Sequence, residues 1–329
     1  MDLKTGLAVA GATAGVIGLS TLVFNKKYLA GGVCNIKKDL KGQVIIVTGS
    51  NTGIGKETAR VLASMGATII LACRDVKKTE FVVEELKRNT DNQNIEFIRL
   101  DLSELKSIRE FAEEFKRRHQ KLNILINNAG VMMIPQRTLT KDGFEMQFGT
   151  NHVGHFYLTS LLIDPLKKSA PSRIINLSSL AHLHGKMNWK DLMYEKGYNH
   201  TIAYGQSKLA NVLFTKELQR RYGELGINSY SVHPGVVSTE LTRYMDDQWF
   251  LKVVMKYVGN PFIRTFGKTA LQGAQTSLYC ALEDLDKLKA GGYYKDCKLA
   301  TENKLVKDEE NAKKLWDITE KLIASKITN

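Results

Sequence analysis

The chain of 329 residues carries 47 Lys and Arg against 34 Asp and Glu, a formal charge of +13, with 43% hydrophobic and 25% charged residues. That is the composition of a folded globular protein, and it excludes a disordered tail, a collagen-like repeat and a multi-pass membrane protein. Four cysteines, none in a CxxC pair, exclude a disulfide scaffold, and the surplus of positive charge points to nucleic acid, a membrane surface or a phosphate-bearing cofactor.

Residues 5–24 carry no charge. At the helical rise such a run spans about 30 Å, one bilayer core. A cleaved signal peptide would need a small-residue cleavage site, whereas this run ends in Asn25-Lys26-Lys27. A buried helix of a soluble domain would have to be apolar on all faces. Length and flanks favour a membrane anchor. Lys26, Lys27, Lys37, Lys38 and Lys41 follow the run and only Lys4 precedes it, so the positive-inside rule turns the body of the protein to the cytosol. The endoplasmic reticulum is the expected membrane and a mitochondrial membrane the alternative. Residues 1–42 then form an anchor and basic linker.

The periodicity changes at residue 43. Residues 43–47 are a continuous apolar strand of the kind buried on both faces of a parallel sheet. Thr48-Gly49-Ser50-Asn51-Thr52-Gly53-Ile54-Gly55 follows and leads into a helix through Leu62. A tight glycine turn between strand and helix lets backbone amides meet a pyrophosphate, which makes Gly49, Asn51, Thr52, Gly53, Ile54 and Gly55 candidate dinucleotide-binding residues. The next strand, 68–72, ends in Cys73-Arg74-Asp75. Cys73 stands where an acid would bind the ribose of NAD, and Arg74 suits the 2′-phosphate of NADP. Asp75 reads as the cap of the following helix.

Strands and helices keep alternating. The sequence predicts strands at 94–99, 124–126, 173–177 and 227–232, and helices at 105–118, 143–168, 203–222 and 266–282. Asp101, with Leu102, follows the third strand and is placed to meet an adenine edge. The alternation implies a Rossmann-type, doubly wound α/β sheet in a single domain over 43–300. From Thr301 onward, Leu315, Trp316, Ile318 and Leu322 suggest a helix packed on that body.

Tyr204 and Lys208 stand four apart on a predicted helix and share a face. A phenol titrates near 10, and a lysine ammonium one turn away favours the phenolate, bringing tyrosine into range for proton transfer. His152 and His155, and His182 and His184, lack a completing carboxylate or cysteine at ligand spacing, so no metal is expected. Cys73, Cys280 and Cys297 read as reduced thiols. Asn199-His200-Thr201 is a glycosylation sequon that a cytosolic domain would not present. Residues 243–266, rich in aromatics and Met, read equally as a substrate lid, a membrane-dipping surface or ordinary packing.

Taken together, Thr48-x3-Gly53-Ile54-Gly55, Asn127-Asn128-Ala129-Gly130, Ser179, Tyr204-x3-Lys208 and Pro234-Gly235 resemble the short-chain dehydrogenase/reductase family over 43 to about 300. Within it, the stretches Leu29-Ala30-Gly31-Gly32-Val33-Cys34, Ala72-Cys73-Arg74-Asp75 and Asn151-His152-Val153-Gly154-His155-Phe156 are similar to the retinol dehydrogenase 11/12/13/14 group. The resemblance implies Tyr204 as general acid/base and Lys208 as its modulator and the holder of the nicotinamide ribose. It implies Ser179 as the hydrogen bond to the substrate oxygen and Asn151 as the holder of a relay water. Asn128, Ala129 and Gly130 would support the adenosine side, and Pro234, Gly235, Val237 and Thr239 the nicotinamide. Ser179 and Tyr204 enclose a long insertion, 181–202, typical of the narrower group; Ser178 is the alternative serine. The implied activity is NADP(H)-dependent interconversion of an apolar carbonyl and its alcohol, a retinal/retinol pair. Steroid, lipid-derived or xenobiotic carbonyls are the alternative, and a non-catalytic dinucleotide-binding scaffold is the reading from another class. The basic residues form neither an arginine-rich tract nor an aromatic-interleaved patch, so nucleic acid is not an expected partner. Nothing in the sequence sets the oligomeric state.

Overall fold

Ile45, Ile46 and Val47 are all fully buried, which requires cover on both faces of the strand they form. The structure, a computed structural model, describes residues 31–237 and 267–327. Its sheet contains β1 (Val44–Thr48), β2 (Thr68–Cys73), β3 (Ile95–Arg99), β4 (Ile124–Asn127), β5 (Ser172–Leu177), β6 (Ile227–His233), β7 (Tyr293–Lys295) and β8 (Lys298–Leu299). The order is β3-β2-β1-β4-β5-β6-β7-β8, parallel except for β8. The expected doubly wound parallel sheet is therefore present, and the strand order reverses between β1 and β4, where such sheets bind ligands.

Alternation along the strands sorts the core into two layers. Ile46, Ile70, Leu125 and Ile174 point to one side, against α3 (Leu105–Arg118), α4 (Gly154–Leu161) and α6 (His200–Tyr222). Ile45, Val47, Ile69, Leu71, Ile126 and Ile175 point to the other, against α1 (Gly53–Ala63), α2 (Val76–Thr90) and α7 (Ala270–Leu282). The last helix, α8 (Glu309–Ile327), lies on the first layer. Its Trp316 is buried against Phe156 and Phe214 and is capped by the Arg221 guanidinium, 4.4 Å from the ring. His152 Nε2 donates to Thr319 Oγ1 (3.1 Å), whose own proton goes to Leu315 O (2.7 Å), so α8 is also bonded to the layer beneath.

Three expectations need correction. The stretch 143–168 is not one helix: a helical turn (Met146–Phe148), a π turn (Gly149–Val153), α4 and a short α5 (Ile163–Lys167) succeed one another. Pro165 has no N–H for the carbonyl four residues back, which ends the regular ladder near Leu162. Helix α7 starts at Ala270 rather than 266, because Lys268 pairs with Val237 as a bridge and Thr269 then caps the helix in a capping box with Gln272. Thr269→Ala is expected to cost about 1 kcal/mol, read as a lower urea midpoint. The third concerns the sheet, which gains β7 and β8 after α7, strands whose three and two residues are too short to show a period.

Asp75 caps α2 as expected, accepting from Lys78 N at 3.0 Å. Asn199, the sequon residue, caps α6 through Thr201 N and Ile202 N. Among the described residues no helix is long and apolar enough to cross a membrane; the run 5–24 lies outside them.

Candidate active site

Every candidate residue before 238 sits at or near the carboxyl end of the sheet or on the helices facing it. At the end of β1, Thr48 Oγ1 accepts from Asn128 N and Ala129 N, each at 2.9 Å. The Asn128 amide donates to Thr48 O (2.7 Å) and Gly49 O (3.3 Å), so the exits of β1 and β4 are laced together. Gly49 has φ +63°, and a Cβ there would stand 2.9 Å from that of Ala129, which explains a glycine on both counts. Asn51 is held by Thr79 (3.1 Å). Thr52 precedes α1, which Gly53, Ile54 and Gly55 open, and no side chain caps that helix. Its first amides therefore remain available to an anion, as a pyrophosphate site requires.

At the end of β2 the Cys73 thiol is buried, accepts from Ser50 N at 3.1 Å and is pushed up by burial. Arg74 beside it is exposed and pairs with no carboxylate among the described residues. Asp101 is 8% exposed, and its Oδ1 is already taken by Ser103 N (3.0 Å) and Ser103 Oγ (2.6 Å). Only its other oxygen can serve an adenine. Leu102 is buried, and its carbonyl lies against Gly154 at the start of α4.

The four residues expected to do chemistry come together. Asn151 sits in the π turn, locked by both backbone groups of Val131: its Oδ1 accepts from Val131 N (2.8 Å) and its Nδ2 donates to Val131 O (2.9 Å). The same Nδ2 reaches Ser207 Oγ (3.0 Å) on α6. Gly130 separates Asn151 from Lys208: a Cβ there would lie 3.1 Å from Asn151 Oδ1 and 3.5 Å from Lys208 Nζ. Lys208 is buried, donates to Leu177 O at 3.2 Å and lies 5.7 Å from the centre of the Tyr204 ring. A buried ammonium with one carbonyl partner among the described residues has donors to spare for a ribose diol. Ser178 is turned away, donating to Lys208 O (2.8 Å), whereas Ser179 Oγ accepts from Ala181 N (3.2 Å) and lies close enough to the Tyr204 phenol to pull its pKa down.

Burial corrects one electrostatic expectation. It pushes the Tyr204 phenol up to about 12, against the lowering pull of Ser179, and holds Lys208 down at about 8. Desolvation outweighs the anticipated help from the lysine, so Tyr204 is a protonated acid in the ligand-free protein.

Beyond Pro234, which follows β6, Gly235, Val236 and Val237 pack on Lys268, which sequence reasoning missed. Lys268 N donates to Val236 O (2.9 Å), and Nζ pairs with Asp296 at 2.5 Å. Gly235 has φ +90°, and a Cβ there would meet Lys268 Cδ at 2.6 Å. No local pattern marks Lys268 or Asp296; they meet only through the β6–β7 pairing. Thr239 and the stretch 243–266 lie outside the described residues. The insertion 181–202 is bonded down: Asn303 Nδ2 donates to His182 O (2.7 Å) and Gly185 O (3.0 Å), and Tyr198 OH to Ile134 O (2.8 Å). Among the described residues no three His, Cys, Asp or Glu side chains gather as a metal site.

Comparison with known proteins agrees with this geometry. Residues 43–249 match the family model of the short chain dehydrogenases. Retinol dehydrogenase 12 of Mus musculus is 49% identical over 299 residues, 91% of this chain and 92% of that one. Retinol dehydrogenase 13 of Homo sapiens is 45% identical over 320 residues, covering 96% and 94%. A crystal structure of an uncharacterized protein from Mycobacterium paratuberculosis superposes with a TM-score of 0.70 at 33% identity, over 89% of this chain and 97% of that one. The chain belongs to the short-chain dehydrogenase family, whose members bind nicotinamide dinucleotides, and is an oxidoreductase acting on CH–OH donors.

Proposed function

We propose that the protein is an NADP(H)-dependent reductase of apolar aldehydes, with retinal and retinol as its substrate pair. The observation that carries the chemistry is the convergence of the buried Tyr204, Lys208 and Asn151 with the half-buried Ser179. When bound, the nicotinamide supplies the hydride for carbonyl reduction or accepts it in the reverse direction. Ser179 Oγ and Tyr204 OH hold the substrate oxygen between them, and the phenol gives that oxygen its proton. Lys208 holds the ribose hydroxyls, and Asn151 orders the water that returns a proton to Lys208. The uncapped start of α1 takes the pyrophosphate; Asn128, Ala129, Gly130, Asp101 and Leu102 line the adenosine side. Pro234, Gly235, Val237 and Thr239 hold the carboxamide.

Preference for the 2′-phosphate is supported by Arg74, exposed at the end of β2 and ion-paired with no carboxylate among the described residues, its neighbour Asp75 being turned to cap α2. A retinoid substrate is supported by the likeness to relatives named retinol dehydrogenases. The uncharged run 5–24 and the lysines after it support a membrane tether with the domain in the cytosol, at the endoplasmic reticulum or alternatively a mitochondrial membrane. A tether raises the concentration of a bilayer-soluble substrate at the site.

Purified full-length protein should oxidise NADPH when given all-trans-retinal; cofactor binding without turnover across a panel of retinoid, steroid and lipid-derived carbonyls would leave a scaffold instead. Arg74→Asp should raise KM for NADPH by about ten- to a hundredfold, the worth of one or two charge-assisted bonds. The KM for NADH should change little. Equal effects on both cofactors would refute the 2′-phosphate contact.

A further inference from the structure

His155 is 2% exposed on the first turn of α4, four residues after Asn151. Its ring nitrogens face two different partners: Nε2 lies 2.9 Å from Thr48 Oγ1, and Nδ1 lies 3.0 Å from the backbone oxygen of Asn151. Proton counting assigns the roles. Thr48 Oγ1 already accepts from Asn128 N and Ala129 N, which occupies both lone pairs. Its own proton must be donated, and Nε2 at 2.9 Å is a far better acceptor than Ile126 O at 3.5 Å. A carbonyl can only accept, so the ring proton sits on Nδ1. Burial and the nearby Lys208 hold the ring down at about 4, and its neighbour His152 is likewise held down at about 3, so neither carries a charge at neutral pH.

A continuous chain of donors thus runs from the amides of the β4 exit turn, through the Thr48 hydroxyl and the His155 ring, to the Asn151 carbonyl. That carbonyl lies in a π turn, where the ordinary i→i+4 ladder spacing is interrupted, and the His155 ring adds a side-chain donor to it. The Asn151 side chain is clamped by Val131; its backbone is clamped by His155.

We infer that His155 is a positioning residue: as a neutral Nδ1–H imidazole it holds the Asn151 carbonyl in register with the Thr48–Asn128 turn. Asn151, Gly130 and Lys208 keep their spacing as a result. The inference rests on the proposed roles of Asn151 and Lys208.

Asparagine places its amide nitrogen where Nδ1 stands, whereas glutamine replaces Nε2 and removes the side-chain donor from the Asn151 carbonyl. In the full-length protein, His155→Asn should keep kcat within about threefold. His155→Gln should lower kcat about tenfold, the effect of one lost buried hydrogen bond, with cofactor affinity and substrate KM nearly unchanged. Any other ranking, or parallel loss of kcat and cofactor affinity in both variants, overturns the positioning role. Should the glutamine variant fail to fold, ¹⁵N-histidine spectra of the unmodified chain decide, with the His155 signal assigned by its absence in His155→Asn. A protonated Nδ1 and a bare Nε2 are expected throughout about pH 5.5 to 8, and an Nε2–H tautomer or a titration in that window overturns the assignment. Tyr204→Phe in the same assay separates the two levels. If that variant turns over normally, the catalytic site itself is misplaced; if it is dead while His155→Gln is normal, only the positioning role falls.

Discussion

Tyr204→Phe is expected to lower kcat by about 10²–10⁴-fold, the range lost with a general acid, while cofactor affinity changes little. The substitution removes one oxygen from a buried helix face and leaves the ring, the nearby Lys208 and the Ser178 bond to Lys208 O in place. Its other consequence is in the pH profile. Because burial raises the phenol to about 12, the proton needed for carbonyl reduction is present throughout neutral pH. Reduction should therefore be nearly flat between about pH 6 and 8, and alcohol oxidation, which needs the phenolate, should rise with pH over that range. A kcat for reduction that falls steeply above about pH 7 would mean that another group gives the proton.

Lys208→Met should abolish turnover to a similar degree and yet stabilise the ligand-free protein. Burial depresses the ammonium to about 8 from its ordinary 10.5. For a base whose folded value is depressed, protonation favours the unfolded chain. The cost is fully present below about pH 8 and fades as pH rises to 10.5, and at 1.36 kcal/mol per unit it reaches about 3 kcal/mol. Methionine keeps the stem and removes the charge, and Leu177 O retains the Asn211 amide at 3.0 Å. Thermal unfolding at pH 7 should show the variant more stable by about 1–3 kcal/mol, with the gain gone near pH 10.5. A variant less stable than the parent at pH 7 would contradict this. Activity and stability pull in opposite directions at Lys208 because a charge held for a ligand is a burden without it.

How much was readable in the sequence depended on the range of the interactions involved. Continuous apolar runs and caps are local, so β1, β2, α3 and the Asp75 cap appear where the periodicity puts them. The family motifs likewise singled out Tyr204, Lys208, Ser179 and Asn151 as candidates, and the fold sets Lys208 beside the Tyr204 ring and ties Asn151 to the same helix through Ser207. The break of 143–168 into a π turn was not readable, because it follows from Asn151 bonding to Val131, twenty positions away. Lys268 and Asp296 were missed for the same reason, since only the pairing of β6 with β7 brings them together.

His155 shows the division most sharply. In the sequence it is one of two histidines three apart, a weak metal pattern with nothing to complete it. In the fold its nitrogens bond to Thr48, 107 positions earlier, and to the carbonyl four residues back. The sequence by itself determined the parallel sheet, its order of elements and the family, because apolar periodicity and motif spacing are properties of the linear chain. Only the tertiary structure decided the proton states of Tyr204, Lys208 and His155, because burial and the direction of each hydrogen bond arise when distant segments close on one another.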